Sequence, residues 1–292
     1  MGMSANRSPE DSVSPTALPA VSIVIPAYNE ESVIRQCLIA AVYQSVPAEE
    51  IIVVDNLSTD RTADIVLQMQ TEYPESRIIL LSQSQTQGLI PTRNFGLDHA
   101  TGDILGRIDA DSVLEPDWVE QVQAAFKDES VHAATGPVVY YDMPMRRFGL
   151  KADDKMRQLM LKLAKHQYHF LFGSNMALRR SAWEIIRDES CRDERDEMHE
   201  DIDLSLHLAD HDLRIQYWPQ MVSGMSARRL EDSPRDYRYY VTRFDRTYKA
   251  HNVKKMALKA PMVVFFSVYF PAKLLRAIHT VNTAQSVRRG GQ

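Results

Sequence analysis

The sequence predicts an α/β fold, a mostly parallel sheet flanked by helices, and three observations carry that reading. Short apolar, β-branched runs recur at Val21 to Ile25 (VSIVI), Glu50 to Val54 (EIIVV), Arg77 to Leu81 (RIILL) and Asp103 to Ile108 (DILGRI). The runs are continuous rather than alternating, as in strands buried on both faces. Stretches with helical spacing of apolar residues separate them, and such alternation builds a parallel sheet covered on both sides.

Taken in order, the first run ends at Pro26, and Asn29 is placed to cap a helix carrying Val33, Ile34, Cys37, Leu38, Ala41 and Val42 on one face. The second run stops at Asp55 before a turn, and an amphipathic helix follows from Asp60 to Tyr73. After the third run, Gly88 and Pro91 open a helix through His99, and the fourth run delivers Asp109 and Asp111. Pro116 to Phe126 reads as a helix with Pro in its first turn. Val131 to Tyr141 reads as one strand interrupted at Gly136-Pro137, and Arg146 to His169 as a basic, Met/Leu-rich helix. Met176 to Arg180 precedes a short helix at Trp183, and the charged run Arg187 to Glu197 is expected to be a solvated loop. A helix then opens at His199-Glu200-Asp201, Leu213 to Trp218 is a late strand, and Asp236 to His251 is a basic, aromatic helix.

Composition bounds the function. The first nineteen residues are Ser- and Pro-rich without a long apolar run, which predicts a disordered leader and no secretory signal. Two cysteines, Cys37 and Cys191, suggest neither a disulfide framework nor a zinc site, so a reducing cytosol is expected. From Ala227 onward there are 14 Lys/Arg against 4 Asp/Glu, a net of +10, which leaves −15 on the first 226 residues. That asymmetry argues against nucleic acid as a partner of the main domain and for an anionic surface or ligand meeting the tail. Within the tail, Ala260 to Ala272 (APMVVFFSVYFPA) carries no charge and is flanked by Lys259 and Lys273. Thirteen residues fall short of the roughly 20 that a spanning helix needs. An interfacial segment on an anionic leaflet fits best, over residues 254–281, with a packed or dimer-forming helix and a short snorkelling span as alternatives.

The chemistry gathers at Asp109-Ala110-Asp111. In extended backbone, residues i and i+2 point the same way, so both carboxylates can face one site. Hard oxygen ligands suit Mg2+ or Mn2+, which prefers one or two carboxylates together with substrate phosphates. A strand end with solvated acids explains an isolated pair equally well.

Its company decides between them. VSIVIPAYNE (21–30), VVDNLSTDRT (53–62), GLIPTRNFG (88–96), Asp109-Ala110-Asp111, GSNMALRR (173–180) and EDIDL (200–204) stand in the order seen in family 2 glycosyltransferases, which this chain resembles over residues 19–218. The resemblance implies the GT-A fold, Rossmann-like with a mostly parallel sheet, and an inverting, metal-dependent transfer of one sugar, a hexosyl group, from a nucleotide-sugar donor. UDP is expected ahead of GDP as the nucleotide, with Mn2+ or Mg2+. It implies donor contacts from Pro26, Ala27, Tyr28, Glu30, Asp55, Arg93, Asp109 and Ala110, metal ligation by Asp111 and Asp109, a loop near the sugar at Gly173 and Asn175, and Asp201 beside Glu200 as the catalytic base. Asp60 and Asp203 are assigned structural roles, and His199 is read as a surface histidine rather than a ligand.

Residues 20–225 then form the catalytic domain, 20–111 as its nucleotide-binding half and 112–225 as its acceptor half, with residues 226–292 a basic, apolar helical region. The departures from the family pattern are Asn56 where a second acid is common and Gln87-Gly88 with Thr92 before Arg93. The segment Tyr240 to Phe244 is a degraded echo of the Gln-x-x-Arg-Trp of processive synthases, so single transfer is expected over polymer extrusion. The acceptor is expected to be a hydroxyl or phosphate of a cell-envelope glycan or lipid-linked molecule, reached from the cytoplasmic membrane face, with a homodimer left open. A soluble small-molecule or glycan acceptor is the alternative. Two readings of other classes are a sugar nucleotidyltransferase, which wants a Gly-rich basic loop that Pro26 to Glu30 does not offer, and a non-catalytic nucleotide-sugar binder, which would lack Asp201.

Overall fold

The computed structural model describes residues 18–164, 169–190, 193, 197–254 and 259–290; the leader up to residue 17 and Cys191 lie outside them. In chain order the elements are β1 (Val21–Ala27), α1 (Ile34–Val42), β2 (Glu50–Asp55), α2 (Thr62–Glu72), β3 (Ile78–Ser82), α3 (Leu89–His99), β4 (Ile104–Arg107) and β5 (Val113–Leu114). There follow α4 (Trp118–Ala125), β6 (Ala133–Thr135), β7 (Val138–Tyr140), α5 (Arg146–Ala164), β8 (Met176–Arg179), α6 (Arg180–Ile186) and α7 (Glu200–Asp210). β9 (Ile215–Tyr217), β10 (Ser223–Met225), α8 (Pro234–Ala250) and α9 (Ala260–Gly290) complete the chain.

The four runs predicted as strands form the parallel half of a seven-stranded sheet ordered β3-β2-β1-β4-β8-β6-β9. β8 enters antiparallel between β4 and β6. Successive residues of β1 feed opposite faces, as the pleat requires. Ile23 and Ile25 join Cys37, Leu38, Met69, Trp118 and Val122, whereas Val24 joins Leu97, Leu105, Trp183 and Leu204. The sheet is therefore covered on both sides, which is why its strands read as unbroken apolar runs. Each fully buried Ile or Val contributes on the order of 1.5–3 kcal/mol.

Three expectations change. Asn29 does not cap a helix: it has φ of 53° and its Oδ1 accepts from the Thr59 N–H, tying the first loop to the second, while α1 begins at Ile34. The stretch Val131 to Tyr141 is two strands in two sheets, because at Gly136 the chain presses on the Met221 carbonyl where no Cβ would fit, and β7 then leaves for a small sheet ordered β5-β10-β7. The apolar tail is not a separate thirteen-residue segment but part of the continuous 31-residue α9, which carries Pro271 in its interior. Within it Pro261–Thr280 is long and apolar enough to cross a membrane by length and composition.

Candidate active site

β1, β2 and β4 end on one rim, with Ala27 opposite Asp55 and Val24 opposite Arg107. Beyond that rim lies a cavity of about 1390 Å3 lined by Pro26, Ala27, Tyr28, Glu30, Arg93, Asp109, Ala110, Asp111, Gly173, Glu200 and Asp201. Carboxyl ends of parallel strands are where such sheets bind ligands. Asp55 stands at the rim without lining the cavity, and its Oδ1 is buried with no hydrogen-bond partner. Asn56 is buried behind it, donating to the Gln83 and Thr86 carbonyls and accepting from the Gly88 N–H. Its amide holds the 83–88 loop, a task that a second carboxylate, with no N–H to donate, could not perform.

The Asp109-Asp111 pair sits in a turn past β4, so strand alternation does not set its geometry. Each carboxylate instead meets its own arginine. Asp109 Oδ1 accepts from Arg93 Nη2 at 2.5 Å. Asp111 Oδ2 lies 2.9 Å from Arg228 Nε, and the same guanidinium holds Glu30 with two hydrogen bonds of 2.7 and 2.8 Å. Burial, together with the neighbouring Asp109 and Glu30 carboxylates, pushes Asp111 up to about 6 despite Arg228. Two acids around one cation form an all-oxygen donor set of the type that Mg2+ or Mn2+ takes. The cation there is Arg228, between Asp111 and Glu30, with Asp109 held beside them by Arg93, and carboxylate oxygens gathered in this way are chemically suited to a divalent metal.

Behind the pair lies a second charge cluster. Glu200 accepts from Arg107 Nη2 at 2.8 Å and from Arg93 Nη1, and Arg93 links it in turn to Asp109. These two guanidinium groups hold the Glu200 carboxyl well below its usual range despite its burial. Its neighbour Asp201 behaves oppositely: burial first, and then the Glu200 charge, raise its pKa. Asp201 Oδ2 accepts from the Gly173 N–H at 2.9 Å, and Oδ1 from its neighbour's N–H, Ile202, at 2.9 Å. Gly173 is packed against Arg107, and an added Cβ would also stand 3.0 Å from Glu200 Oε1 and 3.3 Å from Asp201 Oδ2. A side chain there would push the acid out of place. Adjacent carboxylates with opposite shifts, one in two ion pairs and one with no ion pair among the described residues, have the chemistry by which one acid can anchor charge and the other can take up a proton.

Other sequence expectations are relocated. Asn175 is fully buried away from the cavity, accepting from Trp118 Nε1 and donating to the Pro137 and Met221 carbonyls, so it staples the two sheets while Ser174 faces the cavity. His199 is not on the surface: it is 5% exposed, packed against Tyr240 and Phe244, and burial pushes it down to about 4. Asp60 has a structural contact but is not the N-cap of α2, which is Arg61: its Oδ1 accepts from the Thr62 N–H at 2.9 Å in the turn ahead of the helix. Arg228 and Arg107 carry no signal that sequence spacing alone reveals. Arg228 comes from a 3-10 turn, Arg228–Glu231, and is 198 residues from Glu30.

The far end of the cavity is apolar and aromatic, formed by Tyr237, Tyr240, Phe244 and Tyr248 of α8 and by Pro261, Val264, Phe265 and Val268 of α9. The model of glycosyl transferase family 2 matches residues 22–186, more than half of the chain, over the strands and loops that build this cavity. The chain belongs to that family. A second model, glycosyl transferase family group 2, matches residues 107–276 and so takes in α8 and most of α9. Among curated relatives of this family 2 member, glycosyltransferase AglE of Haloferax volcanii is 34% identical over 127 residues, 43% of this chain and 41% of that protein. The chain spans about a third to a half of the length of the first curated relatives it matches. Among solved structures, a mannosyltransferase of Pyrobaculum calidifontis in complex with GDP-Man and Mn2+ superposes with a TM-score of 0.63 at 22% identity, over 96% of this chain and 79% of that one. Glucosyl-3-phosphoglycerate synthase of Mycobacterium tuberculosis, with Mn2+, UDP and glucosyl-3-phosphoglycerate, gives 0.54 at 18% identity over 82% of both chains. At those identities the likeness establishes the shared fold, the mostly parallel GT-A sheet flanked by helices.

Proposed function

We propose that this family 2 protein is an inverting glycosyltransferase that moves one sugar from a nucleotide-sugar donor, UDP-linked in the first instance, to a lipid-linked acceptor. The observation that carries the reading is Asp201, a half-buried acid with a raised pKa held in the cavity by the Gly173 N–H, in the same cavity as an all-oxygen cation clamp. A divalent cation, Mn2+ or Mg2+, held by Asp111 with Asp109, would neutralise charge on the leaving diphosphate. The acceptor hydroxyl attacks the anomeric carbon on the face opposite the diphosphate. The bond to the diphosphate oxygen breaks with its electron pair, and the hydroxyl proton passes to an Asp201 oxygen. Arg93 orients Asp109, and the Glu200 charge keeps Asp201 basic enough to accept that proton. Mn2+ accompanies the nucleotide in both solved relatives described above, and one of them holds GDP-Man, so GDP donors belong in the test.

α9 supports the lipid part. Its inner residues line the aromatic end of the cavity, whereas Val263, Phe266, Phe270, Leu274 and Ile278 form an outward stripe 42–65% exposed. One helix thus joins an apolar outer stripe to the acceptor end of the site, the geometry expected of a segment lying in a bilayer interface at the cytoplasmic face.

A donor panel with Mn2+ or Mg2+, scoring nucleotide release and the anomer formed, tests the chemistry. Asp111→Ala is expected to lose metal-dependent donor binding, and Asp201→Asn to bind donor without transferring. An active Asp201→Asn would remove the base. Loss of liposome binding and of activity on lipid acceptors is expected on deletion of residues 254–292, and a full chain that transfers to soluble acceptors no less well than to their lipid-linked counterparts would replace the lipid acceptor with a soluble one.

A further inference from the structure

Independently of that reading, the structure assigns a second cation site: we propose that Asp203, His207 and His251 bind a zinc-type transition-metal ion that pins α7 to the end of α8. The three ligand atoms, one carboxylate oxygen and two imidazole nitrogens, all lie within 4.8 Å of one another. None of the three lines the donor cavity, because Asp203 stands two residues from Asp201 and so on another face of α7.

The geometry is that of a chelate. Asp203 and His207 are spaced i, i+4 on one helix, the spacing that aims two side chains at one point. His251, the C-cap of α8, closes from the other side with Nε2 2.7 Å from Asp203 Oδ1. His207 shows what this cluster lacks. Its Nε2 stands 3.8 Å from Asp203 Oδ1 and its Nδ1 stands 3.8 Å from Glu189 Oε2, both beyond hydrogen-bond reach. The half-buried imidazole thus turns one nitrogen toward Asp203 and the other toward Glu189, whose Oε2 lies 3.0 Å from His211 Nε2; a shift of the ring would give it a ligand position on one side and a carboxylate acceptor behind it on the other.

Around a tetrahedral zinc, with bonds of about 2.0–2.2 Å, neighbouring ligand atoms lie roughly 3.3–3.5 Å apart. The 2.7 and 3.8 Å spacings to Asp203 Oδ1 fall on either side of that value and the two imidazole nitrogens lie within 4.8 Å of each other, so an opening of the His251 contact and an inward shift of His207 would make three bonds and leave a fourth position for water. Two imidazoles and one carboxylate suit zinc rather than the harder Mn2+ or Mg2+ expected beside Asp111. The consequence is mechanical. α7 carries Asp201 at its start and α8 carries Tyr240 and Phe244 into the acceptor end of the cavity, so one ion would fix the acceptor wall relative to the base.

The test uses the full chain, stripped with chelator, in an Asp111→Asn background that weakens the donor-metal clamp. Zn2+ titration is expected to show one tight equivalent and a rise in Tm that Mg2+ does not give. Both effects should vanish in His207→Gln and in His251→Gln, and Glu189→Gln should weaken binding by roughly 10–100-fold. Should a histidine variant fail to fold, Co2+ bound to the Asp111→Asn protein decides, since a four-coordinate site absorbs strongly in the visible and a six-coordinate one weakly. Absence of a tight equivalent, binding indifferent to both histidine substitutions, or a weak six-coordinate cobalt spectrum would each overturn the site.

Discussion

Replacing Glu200 with Gln strikes both charge systems of the site at once. The Glu200 carboxylate is buried, bonds Arg107 at 2.8 Å and also bonds Arg93. At a separation of about 4 Å and an effective dielectric near 20, each pair is worth about 4 kcal/mol before desolvation. Breaking a buried pair by removing one partner costs about 3–5 kcal/mol. The low end applies here, because Gln keeps a carbonyl oxygen for the guanidinium groups and Asp109 still faces Arg93. At about 2–4 °C per kcal/mol for a large domain, a loss of about 3 kcal/mol lowers Tm by on the order of 6–12 °C. The same charge is the second cause of the raised Asp201 pKa, so its loss lowers that pKa. A base must be deprotonated to act. A lower pKa therefore moves the acid limb of the kcat profile to lower pH, and a weaker base lowers the plateau. Differential scanning calorimetry and nucleotide release across the acid range measure both effects. A variant with wild-type Tm and an unmoved acid limb would refute the division between anchor and base.

Arg228→Ala removes the guanidinium that stands in the clamp, so Mn2+ affinity of the donor-free protein, read by titration, should rise severalfold as the competing cation leaves; unchanged affinity would place the metal elsewhere. His199 has a folded pKa of about 4 against an ordinary 6.5, so the unfolded chain takes up its proton first on acidification. Its contribution is complete above pH 6.5 and is lost as pH falls to about 4, at most about 3 kcal/mol. The raised Asp111 and Asp201 work in the opposite direction, favouring the folded state as they protonate below about pH 6, so the histidine is isolated by difference. Wild type minus His199→Phe in urea-melt stability should shrink across that interval, and a constant difference would mean a solvated histidine.

The sequence by itself determined the parallel half of the sheet, because strands buried on both faces must be apolar throughout and helices packed on them must repeat at 3.6 residues. It also placed the rim, since Tyr28, Asp55 and Asp109 sit at the ends of three apolar runs. Tertiary structure alone decided what these residues meet. Asp111 faces an arginine 117 positions downstream, and Asn175 belongs to a staple between two sheets rather than to the cavity. His199 became a core residue because α8 folds Tyr240 and Phe244 over it, a contact no local periodicity encodes. Side-chain direction beyond a strand end and pairing across large sequence separations depend on how elements dock, so spacing could nominate the acids of this site but not tell which would be neutralised and which left to accept a proton.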